Sequence, residues 1–372
     1  MQIEIYDMTV NGARVQISLA AVCDSFSSLL WDVQYYGCGN FEVYIAANAR
    51  NIEIFQTGRI IGRDDDKQHY GIIESVTLET DAENGDYLTV TGRFLMSLLS
   101  RRIIYPTLSF STLTSYADMV RLAVYRNCMQ SDNRLIPGLC HGRTIGTCWE
   151  QKSRLQVSYE NLMDWIFKVC EMIGGTANIR LQETSAGSGI YTMMLDLSQG
   201  TDRSILQEEN AHIVFSDSYC NLLTFGYSMD LSVQKNVAYV LGCGEGAVRK
   251  RTVCYRGDEP ALLDRYEVYV DAKDMSDETQ VDEETVQISD GDYIGLLMEK
   301  GAENLVPITE ISESTIAADN RQYQYNKDYF VGDFVSVEHE RFGLIQPKIQ
   351  LVGMIECYDQ NGRTLTPTFR KG

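Results

Sequence analysis

Gly242-Cys243-Gly244-Glu245-Gly246 is the stretch of this 372-residue chain that comes nearest to a phosphate-binding loop. A dinucleotide site needs a helix to open after such glycines, so that its first N–H groups hold the pyrophosphate. Here the chain continues Val248-Arg249-Lys250-Arg251-Thr252-Val253-Cys254, which alternates like a strand, and no Gly-Lys-Ser/Thr follows. The spacing therefore predicts a glycine turn at a domain crossing. Asp64-Asp65-Asp66 offers carboxylates to a divalent cation, but three acids in a row between strands are expected to form a solvated loop. Asp81 to Gly92 has the acidity of a calcium loop. It places Asp86 where that loop needs Gly, and Gly92 where it needs a bidentate Glu.

His69, His141, His212 and His339 are isolated, and neither an H-E-x-x-H helix nor a G-x-S-x-G elbow occurs. The ten cysteines contain no C-x-x-C pair, so zinc is not expected. The opening MQIEIYDMTV alternates from its first residues and lacks a signal-peptide pattern, so the thiols are expected to stay reduced. No apolar run approaches the roughly 18 residues of a membrane helix. These observations predict a protein that is not an enzyme, with no catalytic residue, metal ligand or cofactor and no membrane insertion. The net charge of −20 argues against a binder of phosphate backbones.

Two sites stand out for structure or interaction. Arg249-Lys250-Arg251 is the dense basic cluster of the strand regions, either a charged guard on an edge strand or a contact with an acidic neighbouring subunit. Gly332-Asp333 is a turn between Tyr329-Phe330-Val331 and the alternating Phe334 to Val337. Gly tolerates positive φ there, and Asp can bond nearby backbone N–H groups.

Period-two patterning dominates the elements that would carry these sites. Phe41, Val43 and Ile45 alternate with Glu42 and Tyr44, and Leu88, Val90 and Gly92 alternate with Thr89 and Thr91. Phe94 to Arg102 reads as a short helix. Ser115 reads as the cap of a helix to about Met129, and a third helix runs from Ser158 to Ile173 with Gly174 as its stop. Ile179 to Leu181 and Tyr191 to Leu197 read as a hairpin, and Arg249 to Ala272 as a strand pair about Gly257-Asp258. Asp271 to Asp292 reads as an exposed acidic loop, and Tyr293 to Leu305 as a helix. Asn84-Gly85-Asp86-Tyr87-Leu88-Thr89 and Asn361-Gly362-Arg363-Thr364-Leu365-Thr366 echo each other, each after a long strand, as two related β-domains would.

The order of these pieces resembles a known family. Gly37-Cys38-Gly39-Asn40-Phe41-Glu42 is followed by Gly71-Ile72-Ile73-Glu74, an acidic hairpin, Gly92-Arg93-Phe94 and a helix ending Arg101-Arg102. Further on come Gly200-Thr201-Asp202-Arg203-Ser204, the run from Phe215 to Leu222, the run from Asn236 to Arg249, and Tyr329 to Val337. Together they resemble phage tail-hub proteins, the tail-associated proteins of siphophages, which are similar to the baseplate hubs of contractile phages. The resemblance implies a β-rich α+β chain with two related β-barrel-like tube domains and two smaller mixed α/β domains. It implies an N-terminal tube domain at 1–105, a mixed domain at 106–200, a second, split tube domain at 201–242 and 318–372, and an insert at 243–317.

The function it implies is structural. A homotrimeric ring at the virion tail tip, assembled in the bacterial cytoplasm, would close the tail tube and let DNA pass through its lumen on ejection. Its partners would be distal tail or tail-tube ring proteins, the tape-measure protein, and tip or receptor-binding proteins. Two alternatives are a β-rich cell-wall hydrolase of a tail and the spike-bearing hub of a contractile particle.

Overall fold

The computed structural model describes residues 1–371 except 13, 82–84, 131–132, 282–283, 317–321 and 341–342. Asn84 of the first Asn-Gly turn and the expected boundary at 318 lie outside the described residues. The chain opens with β1 (Ile3–Asn11), β2 (Arg14–Cys23), β3 (Ser28–Gln34) and β4 (Asn40–Ala46). A short helix α1 (Ala49–Ile54) leads to β5 (Ile60–Arg63), β6 (Asp66–Asp81) and β7 (Gly85–Phe94). Alternation sets which side chains go inside: Phe41, Val43 and Ile45 are buried while Glu42 is exposed. With Ile3, Ile5, Trp31, Val33 and Val90 they form one core, each full burial contributing about 1.5–3 kcal/mol. Leu95–Arg101 then winds as a 3₁₀ helix and buries Leu95, Leu98 and Leu99.

A mixed segment follows, with β8 (Leu108–Ser115), α2 (Tyr116–Val124), β9 (Leu139–Thr144), β10 (Lys152–Val157), α3 (Leu162–Ile173), β11 (Gly175–Glu183) and β12 (Ile190–Gln199). Ser115 caps α2 by accepting from the Asp118 N–H at 3.1 Å. The third helix starts later than Ser158, because Asn161 Oδ1 takes the N–H groups of Met163 and Asp164. Gly174 ends it at φ +73°. The β11–β12 hairpin joins the first sheet through β12 and β2.

The second half holds β13 (Val214–Ser216), β14 (Leu222–Asp230), β15 (Val237–Leu241), β16 (Arg251–Tyr255), β17 (Glu267–Asp271), β18 (Glu278–Val281), β19 (Glu284–Gln287), α4 (Asp290–Ala302), β20 (Thr309–Ile316), β21 (Phe334–His339), β22 (Leu344–Asp359) and β23 (Gly362–Arg370). The strand pair expected between 249 and 272 does not form: β15 lies between β16 and β17, antiparallel to one and parallel to the other. Asn236 explains this, because its Nδ2 donates to the Asp264 carbonyl and its Oδ1 accepts from the Tyr266 N–H, which brings β17 to the far edge of β15. The acidic stretch after Asp271 is not all loop either, since it contains the β18–β19 hairpin and the Ser289 cap of α4. By pairing, β15 goes with the small sheet of the insert, while β20 goes with β14 and β23.

The fold is β-rich α+β, with the strand path β11-β12-β2-β1-β5-β6-β7-β4-β3-β22-β23-β20-β14 forming one sheet. That path is open, so the described residues of one chain do not close the barrel that was expected. Two halves of it correspond in register. β6 pairs with β7 and β5; β22 pairs with β23 and β21, and in addition with β3. Outside β7 come β4 and β3; outside β23 come β20 and β14. A bulge interrupts β6 between Ile73 and Ser75 and β22 between Leu351 and Gly353, at the same distance from Asp81 and Asp359. Leu88-Thr89 thereby occupies the register positions of Leu365-Thr366. The halves join directly, β3 pairing with β22 from Leu29 opposite Tyr358 to Gln34 opposite Gly353.

Candidate functional site: the junction around Tyr35 and Asp333

Three motifs that are far apart in sequence meet where β3 runs out. Tyr35 donates its main-chain N–H to the Val352 carbonyl at 2.9 Å. Its hydroxyl donates to the Gly174 carbonyl at 3.1 Å and accepts from the Gly200 N–H at 2.9 Å. Its carbonyl accepts from Thr176 Oγ1 at 2.5 Å. One residue thus ties the first β-unit to the mixed segment and to the second β-unit. Burial pushes the Tyr35 phenol far above its ordinary range, with the Gly200 N–H acting weakly against this, so it stays a donor.

Gly332 and Asp333 form the opposing wall. Gly332 has φ +104°, donates to the Leu351 carbonyl at 2.7 Å and accepts from Gln350 Nε2 at 3.0 Å. A Cβ there would lie 2.1 Å from Tyr35 Cε2, and one on Gly200 would lie 1.8 Å from the Gly332 carbonyl oxygen. Asp333 is 3% exposed. Its Oδ1 accepts from the Thr201 N–H at 2.8 Å, and its Oδ2 from Arg203 Nε at 2.9 Å and the Phe330 N–H at 3.1 Å. Burial still raises its carboxyl above the ordinary value, against the pull of those donors. The Gly-Asp turn is therefore an interior fastener that holds the stretch from Gly200 to Ser204.

Gly332 has a counterpart in the first unit. Gly58, at φ +87°, donates to the Ile73 carbonyl as Gly332 donates to Leu351, and Arg59 accepts from Ile73 as Asp333 accepts from Leu351. Around Gly58 a Cβ would meet nothing within 4 Å. The two units share a backbone turn, and the second has packed it against Tyr35.

A charged cluster crosses the β3–β22 seam. Arg63 and Glu356, both fully buried, pair at 2.9 Å. Arg63 also binds Asp65 at 2.8 Å, and Arg363 reaches Glu356 from the other side at 3.0 Å. Asp66 accepts from Trp31 Nε1 at 3.1 Å and contacts His69 Nδ1 at 2.8 Å. The solvated loop expected at Asp64-Asp65-Asp66 holds for Asp64 and Asp65, which are exposed in the turn between β5 and β6, and fails for Asp66, which is buried. Local sequence gave no hint, because Arg63's partner lies in β22.

Two residues of the basic cluster pair with nearby acids. Arg249 pairs with Asp271 at 2.5 Å and donates to the Leu241 and Gly242 carbonyls. Lys250 pairs with Asp290 at 2.9 Å and lies over the Tyr293 ring. Arg251 is exposed at the start of β16. The glycine run before them makes a turn that accommodates Tyr293, whose hydroxyl accepts from the Cys243 N–H at 2.8 Å.

A cleft of about 270 Å³ adjoins the junction, lined in part by Tyr35, His69, Phe94, Arg143, Asp196 and Asp333. Two of its charged groups pair with each other, Asp196 with Arg143 at 3.2 Å, and Asp196 also holds Arg180 outside the lining at 2.6 Å. Among the described residues no group of three or more His, Cys, Asp or Glu is placed to hold a metal ion. What the arrangement does chemically is fasten segments.

Three solved structures share this fold. A tail protein from Neisseria meningitidis MC58 superposes with a TM-score of 0.60 at 13% identity, covering 99% of this chain and 96% of that one. Prophage tail protein gp18 from Listeria monocytogenes EGD-e gives 0.56 at 11%, covering 100% and 95%. The 43 kDa tail protein of prophage MuSo2 from Shewanella oneidensis gives 0.55 at 11%, covering 99% and 98%. No curated protein matches the chain in sequence. The profile of one family does, over residues 2–369, and on that match the chain belongs to the Siphovirus ReqiPepy6 Gp37-like protein family, a siphovirus tail protein family.

Proposed function

We propose that this chain is the structural hub of a phage or prophage tail, a homotrimeric ring at the distal end of the tail tube. The observation that carries this reading is the register-matched duplication, with β3-β4-β5-β6-β7 answering to β14-β20-β21-β22-β23. Three chains then present six similar units, which fits a threefold ring to a sixfold tube. The fold shared with prophage tail proteins supports the same reading. The N-terminal 1–105 acts as one tube domain; the split second one, expected at 201–242 plus 318–372, gives β15 to the insert and takes β20 from it, with the mixed segment and the insert as outer attachments.

The ring seats on tail-tube ring proteins and the tape-measure protein, and anchors tip or receptor-binding proteins below. DNA passes through its lumen, where acidic residues limit adhesion. The protein works by surface complementarity and carries out no bond chemistry. Light scattering of the concentrated protein tests the stoichiometry, a trimer being expected. A zymogram on bacterial cell walls tests the enzymatic alternative; clearing by the purified chain would contradict the structural reading.

A further inference from the structure

The seam between β3 and β22 has a matching pair of edges that the strand pairings of the described residues do not use. Register places Leu29 to Gln34 of β3 at the positions of Phe225 to Asp230 of β14. It places Gly353 to Tyr358 of β22 at the positions of Ser75 to Thr80 of β6. Within the chain, the β22 segment pairs with β23 on one side and β3 on the other. Among the described residues the matching β6 segment pairs with β7 alone, and β14 ends the strand path of the sheet.

We infer that β14 of one copy pairs antiparallel with Ser75–Thr80 of β6 in a second copy, from Phe225 opposite Thr80 to Asp230 opposite Ser75. This contact repeats between copies the seam that β3 and β22 make within one.

Exposure supports it. Trp31, Val33 and Glu356, inside the existing seam, are at most 2% exposed. Their counterparts Tyr227, Met229 and Leu78 are 41%, 53% and 57% exposed. Large apolar side chains stand in solvent at the positions the seam covers elsewhere, and such surfaces mark contacts. The edges are also lightly protected, Glu79 and Asp230 being the charged residues of the two segments. Neither Leu222–Asp230 nor Ser75–Thr80 contains Lys, Arg or Pro, the residues that blunt strand edges against pairing. The contact is heterologous, since one edge meets a different edge, so it repeats head to tail and gives a ring where the rotation closes.

The inference deepens the trimer reading and rests on it for closure at three. The full chain carrying Thr77→Cys and Ser228→Cys tests it. Both positions are exposed, and the register sets them opposite each other, with Cβ atoms about 4.5–5.5 Å apart. Mild oxidation at high concentration is expected to give a covalent trimer as the closed product. Thr77→Cys with Asp230→Cys is out of register, with Cβ atoms about 7–8 Å apart, and should stay at the background of the native thiols. Leu78→Arg, at an exposed site, should keep the wild-type melting curve and lose the association.

Equal cross-linking by both cysteine pairs, no cross-linking above background, or normal association by Leu78→Arg would each overturn the contact. An in-register ladder running past three would keep the contact and remove the threefold ring. A threefold ring in particles without this cross-link would keep the ring and remove the contact.

Discussion

Gly332 sits so close under the ring of Tyr35 that a methyl group on it would fall 2.1 Å from Cε2. The same turn at Gly58 has open space around it, and this contrast separates two effects of substitution. Gly58→Ala should cost about 1–3 kcal/mol, from left-handed backbone strain alone. Gly332→Ala adds a clash in a packed interior, about 1–3 kcal/mol more. Chemical denaturation of the two variants should rank them in that order; equal losses would mean that Tyr35 moves aside freely. Gly332→Val should be worse still and should leave tails incomplete at the tip.

The buried Arg63–Glu356 pair makes a second prediction. Glu356→Gln leaves Arg63 with Asp65 as its remaining anion, and losing one partner of a buried pair costs about 3–5 kcal/mol. The double variant Arg63→Met with Glu356→Leu should lose less than the single one. A larger loss in the double variant, measured from urea midpoints, would show that the charges stabilise the seam outright.

Acidification should pull two aspartates in opposite directions. Burial alone would raise the Asp66 carboxyl, but His69 and Arg63 outweigh it and hold it well below the ordinary range. A carboxyl lowered by folding adds stability that is present above its unfolded pKa, about 3.9, and is lost as pH falls toward the folded value. Asp333 is raised instead, so its contribution is full below the unfolded pKa and fades as pH rises through the folded one. On going from neutral pH to about 4, wild type should gain on Asp333→Asn. Below that it should lose its advantage over Asp66→Asn. Parallel slopes for the two variants would contradict the assignment.

The thiols give a kinetic prediction. All ten cysteines are free; Cys140 and Cys220 are exposed, while Cys23, Cys128, Cys148, Cys170 and Cys254 are buried. Burial pushes the Cys128 thiol up to about 12 and Cys148 to about 11. A disulfide-exchange reagent at neutral pH should therefore label the two exposed thiols first and reach the buried ones only on unfolding. Fast labelling of Cys128 in the native protein would mean that the region around α2 opens readily.

Elements governed by neighbours in sequence were legible from it. The alternation of Phe41, Val43 and Ile45 marked β4, and Ser115 and Gly174 marked helix ends by their side-chain oxygen and their lack of Cβ. The start of α3 was misplaced because Ser158 and Asn161 are both capping types, and only the fold shows which one faces the helix. Partner choice was not legible. Nothing near Arg63 announces Glu356, and nothing near Tyr35 announces Gly200 or Gly332, because these contacts are set by strand order. The Gly332-Asp333 turn was found in the sequence, but its burial was not, since a Gly-Asp pair reads the same on a surface as in an interior.

The central claim is that one chain supplies two of six equivalent β-units. A cryo-EM map of tails containing this protein, reconstructed at the tip without imposed symmetry, tests it most directly. The account predicts three copies, with the first and second β-units alternating around the lumen in pseudo-sixfold order. Six copies in the ring, or three copies with only one β-unit of each at the lumen, would contradict it.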